Sequence, residues 1–267
     1  MNVKSSFILM LTTVLTFSTL YTPQPILPLL AQEFSVSGSE ISLLISLTLF
    51  PLGLMPIIYR YLIDNVSART ILHWFIGMLA VTELSLAFVT DFRIMLVLRL
   101  LQGLFLPAIF TAIVTYISNH SSADRRQKSV SSYIAATIIG GFAGRFLTGL
   151  ISDISDWRVS FMVWTVGLFV VWPLLWLLKK DTPVQSSRLQ IGVVWEMFRR
   201  PRHFRVYLTI FIVFFGFSSA LNALPFRIKE ISTLASESLI ACAYLGYLMG
   251  VLAVSYTHLT LPTIYSV

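Results

Sequence analysis

Eight apolar stretches, each about 20 residues long, follow one another along this chain with only short polar breaks. A helix of about 20 residues rises roughly 30 Å, the thickness of a bilayer's hydrocarbon core. In that medium every backbone N–H and C=O needs a partner inside the protein, and a helix supplies it from its own residues. The pattern predicts an all-α, polytopic transmembrane bundle with spans at 7–30, 39–59, 70–89, 94–117, 130–151, 159–178, 206–225 and 239–255. With 12% charged residues, against about 25% in soluble domains, a water-soluble fold is excluded. Function is to be sought in the polar side chains within the spans.

The formal charge of +7 follows the loops. With the N-terminus inside, Lys4, Arg60, Arg69, Arg125, Arg126, Lys128 and the basic run from Lys179 to Arg205 are internal. Arg93, Arg158, Arg227 and Lys229 are external. That asymmetry, about three to one, is the positive-inside signal. It assigns the basic balance to cytoplasmic loops and not to nucleic acid. The single cysteine, Cys242, excludes an intrachain disulfide, and the four histidines lack ligand spacing. No metal, cofactor or catalytic motif is expected, so the chain does not read as an enzyme.

The longest polar break, 179–205, separates a six-helix bundle (1–178) from a partial second bundle (206–255). Within the break, Ile191, Val194, Trp195 and Phe198 share an approximate helical face, which suits a short helix in the inner interface or a plain basic loop. The two bundles carry matching features. Phe17-Ser18-Thr19 before Pro23 pairs with Phe217-Ser218-Ser219 before Pro225, and Ser39-Glu40 pairs with Ser236-Glu237. A parallel repeat that stops after two helices accounts for both. Residues 256–267 have neither span nor loop character and read as a non-native tail.

Three ionisable residues lie well inside spans: Glu83, Arg99 and Arg145. Each costs roughly 2.5–3.5 kcal/mol at a helix centre on insertion scales. They share an approximate depth, so Glu83 is expected to pair with Arg99 or Arg145. Gln102, three residues from Arg99, shares its face and suits a water-filled cavity. On the fifth span Gly140, Gly144 and Thr148 lie on a small-residue stripe, and with Gly149 they are expected to serve close helix packing. Gly141 and Gly149 flank Arg145 and give its side chain room. In the first span Pro23, Pro25 and Pro28 interrupt the helix near Tyr21 and Gln24. Asn222 and Pro225 sit at the corresponding place in the seventh. Interrupted helices at matching places in two repeats point to a transport path, making Tyr21, Gln24 and Asn222 candidates for a substrate cavity.

These residues together resemble the major facilitator superfamily, in particular its 12-helix bacterial efflux permeases of the drug or sugar-efflux-like branch. Arg99-x-x-Gln102-Gly103 is similar to that family's RxxQG motif. Gly140-x-x-x-Gly144-Arg145-x-x-Thr148-Gly149 stands where its gxxxGPxxGG antiporter motif belongs, with arginine for the proline. Arg60 to Arg69 resembles its GxLaDRxGRR loop at Leu62, Asp64 and Arg69, without the two glycines. The resemblance covers about residues 6–255, roughly two thirds of the family's architecture, and so implies C-terminal truncation. It implies two bundles rocking about a central site, with Arg99 and Gln102 in a proton relay and Asp64 and Arg69 at the inner gate. Glu83, the acidic residue deepest in a span, is the candidate proton carrier. The implied protein is a monomeric, proton-coupled exporter of small molecules in the bacterial inner membrane, its partners the substrate, the proton and the lipid bilayer. An inactive truncated permease fragment and an integral-membrane enzyme stand as the alternatives.

Overall fold

The computed structural model describes residues 2–181 and 199–246; among these, the side chains of residues 57, 60, 61, 63, 64, 123–125 and 202 are outside the description. The first span is broken as its prolines require. Helix α1 (Val3–Tyr21) ends ahead of Pro23, a 3-10 turn covers Gln24–Ile26, and α2 (Leu27–Glu33) completes the crossing. A four-residue α3 (Gly38–Ile41) leads into α4 (Leu43–Asn65), followed by α5 (Ala68–Ala87), α6 (Phe92–His120), α7 (Ala123–Ile154) and α8 (Trp157–Leu174). Beyond the central segment come α9 (Pro201–Ile231) and α10 (Glu237–Ala243). Seven helical segments among the described residues are long and apolar enough to cross a membrane. The expected eighth span is described only through its start, α10. The interfacial-helix residues of the central break and the expected tail lie outside the described residues.

Side-chain caps set the helix starts. Asp91 accepts from the backbone N–H groups of Arg93 and Ile94, and Asp156 from that of Arg158. Ser37 and Glu40 form a reciprocal capping box at α3, and Ser236 caps α10 through the Leu239 N–H. The caps therefore align Ser37 with Ser236, two positions away from the Ser39–Ser236 match read in the sequence. The hydroxyls of Thr12, Thr13, Thr16, Thr19 and Thr22 all donate to carbonyls three or four residues earlier in α1. These polar residues are thus satisfied without water.

Helices α1 and α4–α8 form one bundle. Its core has a layer around Leu9, Leu72, Ile76, Ile113 and Leu168, and a second around Ile26, Leu44, Leu86, Met95 and Phe161 on the face opposite the N-terminus. On that opposite face α10 packs on α7, and α9 meets α2 and the 3-10 turn. Toward the N-terminal face α9 stands clear, and large apolar side chains from Phe204 to Phe217 are exposed. Contrary to the sequence reading, α9 is not interrupted near Asn222: it runs through Pro225 to Ile231. Pro225 cannot donate to the Leu221 carbonyl, but the Tyr244 hydroxyl does so at 3.2 Å. The freed acceptor is satisfied from the residue that caps α10, and the helix continues.

Candidate functional site

One turn of α6, from Arg99 to Gly103, faces three neighbouring helices. A Cβ at Gly103 would lie 2.7 Å from the Thr48 carbonyl oxygen, so the missing side chain lets α4 approach. The approach brings the Leu44 carbonyl to Arg99 Nε at 3.1 Å, and the Thr48 hydroxyl donates back to the Arg99 carbonyl at 3.1 Å. Arg99 Nη1 and Nη2 donate to the carbonyls of Thr19 (3.2 Å) and Leu20 (2.8 Å) at the end of α1. Thr19 lies four residues before Pro23, whose missing N–H leaves that carbonyl without its helical donor. Arg99 supplies one.

Gln102 links this grip to α5. Its Oε1 accepts from Arg99 Nη1 at 2.7 Å, and its Nε2 donates to Glu83 Oε2 at 2.6 Å. Glu83, Arg99 and Gln102 are each 0% exposed. The other carboxyl oxygen of Glu83, Oε1, is buried and has no hydrogen-bond partner among the described residues. Two sequence expectations change here. Glu83 and Arg99 meet through Gln102 and not directly, because backbone carbonyls of two helices take most of the guanidinium's donors. Arg99 and Gln102 do not line an open cavity; they are enclosed by protein.

Arg145 belongs to a separate set. Its Nη1 donates to the Gly141 carbonyl at 2.6 Å and its Nε to Gln24 Oε1. The guanidinium carbon lies 3.7 Å from the Tyr21 ring centre and 5.6 Å from that of Tyr244. Gln24 Nε2 in turn donates to Asn222 Oδ1 on α9. Tyr21, Gln24, Arg145 and Asn222 thus come together from α1, the 3-10 turn, α7 and α9. Tyr244 was not singled out in the sequence, where it is one aromatic among many in an apolar stretch; only the α10–α7 contact reveals it.

The small residues of α7 divide between two tasks. Cβ atoms at Gly140 and Gly144 would run into the backbone of α1 at Val14 and Ser18. Thr148 accepts from Trp164 Nε1 at 3.0 Å. Gly141 leaves room for Arg145, since a Cβ there would be 3.2 Å from Nη1. Gly149 packs a helix, as expected of it, and does not make room for Arg145: its missing Cβ admits α10, at Ala241 and the Glu237 carbonyl. At the N-terminal face, Asp64 lies outside the described side chains. Arg69 Nη2 donates to the Trp176 carbonyl at 2.7 Å, and Asp181 accepts from the backbone N–H groups of Ala68 and Arg69. Among the described residues no cluster of His, Cys, Asp and Glu suits a metal ion.

A model of the Major Facilitator Superfamily matches residues 9–262. The chain is 26% identical over 245 residues to an uncharacterized transporter of Buchnera aphidicola subsp. Baizongia pistaciae, with 88% of this chain and 60% of that protein aligned. It is 25% identical over 244 residues to the inner membrane transport protein YnfM of Escherichia coli K12, with 88% and 58% aligned. It therefore spans about three fifths of these relatives' length. Among solved structures, a bacterial homologue of the human lysosomal transporter Spinster, inward-facing and unoccupied, superposes with a TM-score of 0.75 at 15% identity, covering 100% of this chain and 66% of that one. A D-xylose–proton symporter superposes with a TM-score of 0.71 at 18% identity, covering 98% and 68%.

Proposed function

Because this chain belongs to the Major Facilitator Superfamily, we propose that it carries small molecules across the bacterial inner membrane by alternating access, N-terminus inside, with export coupled to protons. The observation that carries this reading is the chain of contacts Arg145–Gln24–Asn222. It joins the first bundle to α9, so the polar set lies on the boundary that opens and closes when two bundles rock. Segment 19–24, from the end of α1 into the 3-10 turn, also joins the two polar sets: Arg99 holds its first two carbonyls, and Arg145 holds Tyr21 and Gln24. In the proposed cycle Glu83 is the proton-carrying carboxyl. A proton gained there weakens the charge-assisted bond from Gln102, loosens Arg99 and shifts the Thr19–Gln24 segment, which changes the hold on Asn222. Substrate enters on the Arg145 side of that segment. Asp64 and Arg69 serve the inner gate in this scheme.

Glu83→Gln tests the coupling. The amide keeps an acceptor for Gln102 but cannot exchange a proton. In everted vesicles, adding a transported substrate to the native protein collapses a preformed pH gradient; the variant is expected to lose this and to move substrate independently of pH. Flux with unchanged pH dependence in Glu83→Gln removes Glu83 from the mechanism.

A further inference from the structure

We propose that the α5–α8 side of the bundle holds one phospholipid with an anionic headgroup, bound head-down at the N-terminal face. Two adjoining features carry the assignment. The first is a polar cavity of about 180 Å³ at the start of α5, lined by Ser67, Arg69, Thr70, His73, Trp176 and Lys180. The second is a groove of about 500 Å³ lined by Gly77, Met78, Val81, Phe105, Phe169 and Trp172. Trp74 lines both, so the two adjoin. From Arg69 to Val81 the helix rises about 18 Å, close to one leaflet of headgroup and acyl chain, half of a hydrocarbon core of roughly 30 Å. Polar head and apolar tail therefore stand in the order and at the separation of a lipid molecule.

The cavity's chemistry selects an anion. Asp181 lines it, but its carboxylate already accepts the N–H groups of Ala68 and Arg69 at the α5 N-terminus. Arg69 and Lys180 supply two cations against that one carboxylate, beside a helix N-terminus that favours negative charge. Arg69 Nε and His73 Nδ1 are buried without hydrogen-bond partners among the described residues. Phosphate oxygens are acceptors for the Arg69 and Lys180 cations that line the cavity. Trp74 and Trp176 are 62% and 59% exposed at this depth, the amphipathic rings that membrane interfaces favour. The groove's near absence of polar lining leaves an acyl chain as its fitting occupant, and Gly77, packed against Trp172, keeps its floor open.

The tryptophans make the site directly readable. The full chain is reconstituted in bilayers carrying brominated phosphatidylglycerol or brominated phosphatidylcholine of identical chains, and tryptophan fluorescence is followed. Phosphatidylglycerol is expected to quench at a several-fold lower mole fraction. Lys180→Gln, at an exposed position, lowers that preference about fivefold, the effect of about one cation at a membrane surface; Arg69→Gln with Lys180→Gln abolishes it. Lys128→Gln, on the same face outside the site, leaves it intact. Equal quenching by the two lipids, full preference in Lys180→Gln, or an equal loss in Lys128→Gln would each overturn the proposal, the last by showing diffuse surface attraction.

Discussion

The two buried arginines are held in different ways. Arg99 is fixed inside one bundle by carbonyls of α1 and α4, with Gln102 and Glu83 completing the set. Arg145 is held at a boundary, by two tyrosine rings and a glutamine that also reaches α9. The first arrangement satisfies a charge with backbone dipoles from within one bundle. The second draws its partners from several elements, as far as α9. A fixed charge suits a hinge point, and a shared charge suits a site that opens.

The sharpest way to break this contrast is Arg99→Ala. It strips donors from the Leu44, Thr19 and Leu20 carbonyls and leaves Glu83 without its nearby cation, in a place water does not reach. Truncating one member of a buried charged network costs about 3–5 kcal/mol, and the thermal midpoint of the detergent-solubilised protein should fall accordingly. Arg99→Lys rescues little, because an ammonium cannot donate to α1 and α4 in the guanidinium's fork. A midpoint near the native one would make the Arg99 set no firmer than the boundary.

Next come two glycines on one helix. Gly140→Ala puts a Cβ 2.5 Å from the Val14 carbonyl, inside the first bundle, where only backbone movement relieves it. A loss of about 1–3 kcal/mol is expected. Gly149→Ala meets Ala241 and Glu237, and that clash is relieved by moving α10 away from α7. Its effect on the unfolding midpoint should be smaller. Instead, the dipolar distance between spin labels at Gln32 and Leu234 should gain a longer component. Equal midpoints for the two variants, with no change in distance, would erase the distinction between bundle and boundary.

The bundle and its spans were legible in the sequence because hydrophobic length is a long-range, redundant signal. The Arg99–Gln102 link was legible because three-residue spacing is local to one helix. Glu83 was legible as a partner in kind, but not the intervening Gln102, because its competitors for Arg99 are backbone carbonyls, which every residue has. Pro23 was the one clue to them: a missing N–H marks a carbonyl in need of a donor. The same clue misled at Pro225. There the sequence announced a broken α9, and a side chain from a later helix repaired it. A proline states that an acceptor is freed; whether the helix stops depends on what the fold brings to that acceptor.

That dependence gives the smallest predicted effect and the most specific one. Tyr244→Phe keeps the ring beside Arg145 and removes only the hydroxyl that donates to the Leu221 carbonyl. The lost bond should cost about 0.5–1.5 kcal/mol. Pro225→Ala restores a backbone N–H to that same carbonyl. In the Pro225→Ala background the hydroxyl becomes redundant, so Tyr244→Phe should cost almost nothing. The difference between the two backgrounds is the coupling energy of a double-mutant cycle, read from unfolding midpoints. If Tyr244→Phe costs the same in both, the hydroxyl does not answer the proline, and the continuity of α9 needs another cause. If the coupling appears, Tyr244 has two separable roles: its hydroxyl keeps α9 whole, and its ring closes the boundary over Arg145. The boundary then owes its shape to α10 as much as to the first bundle.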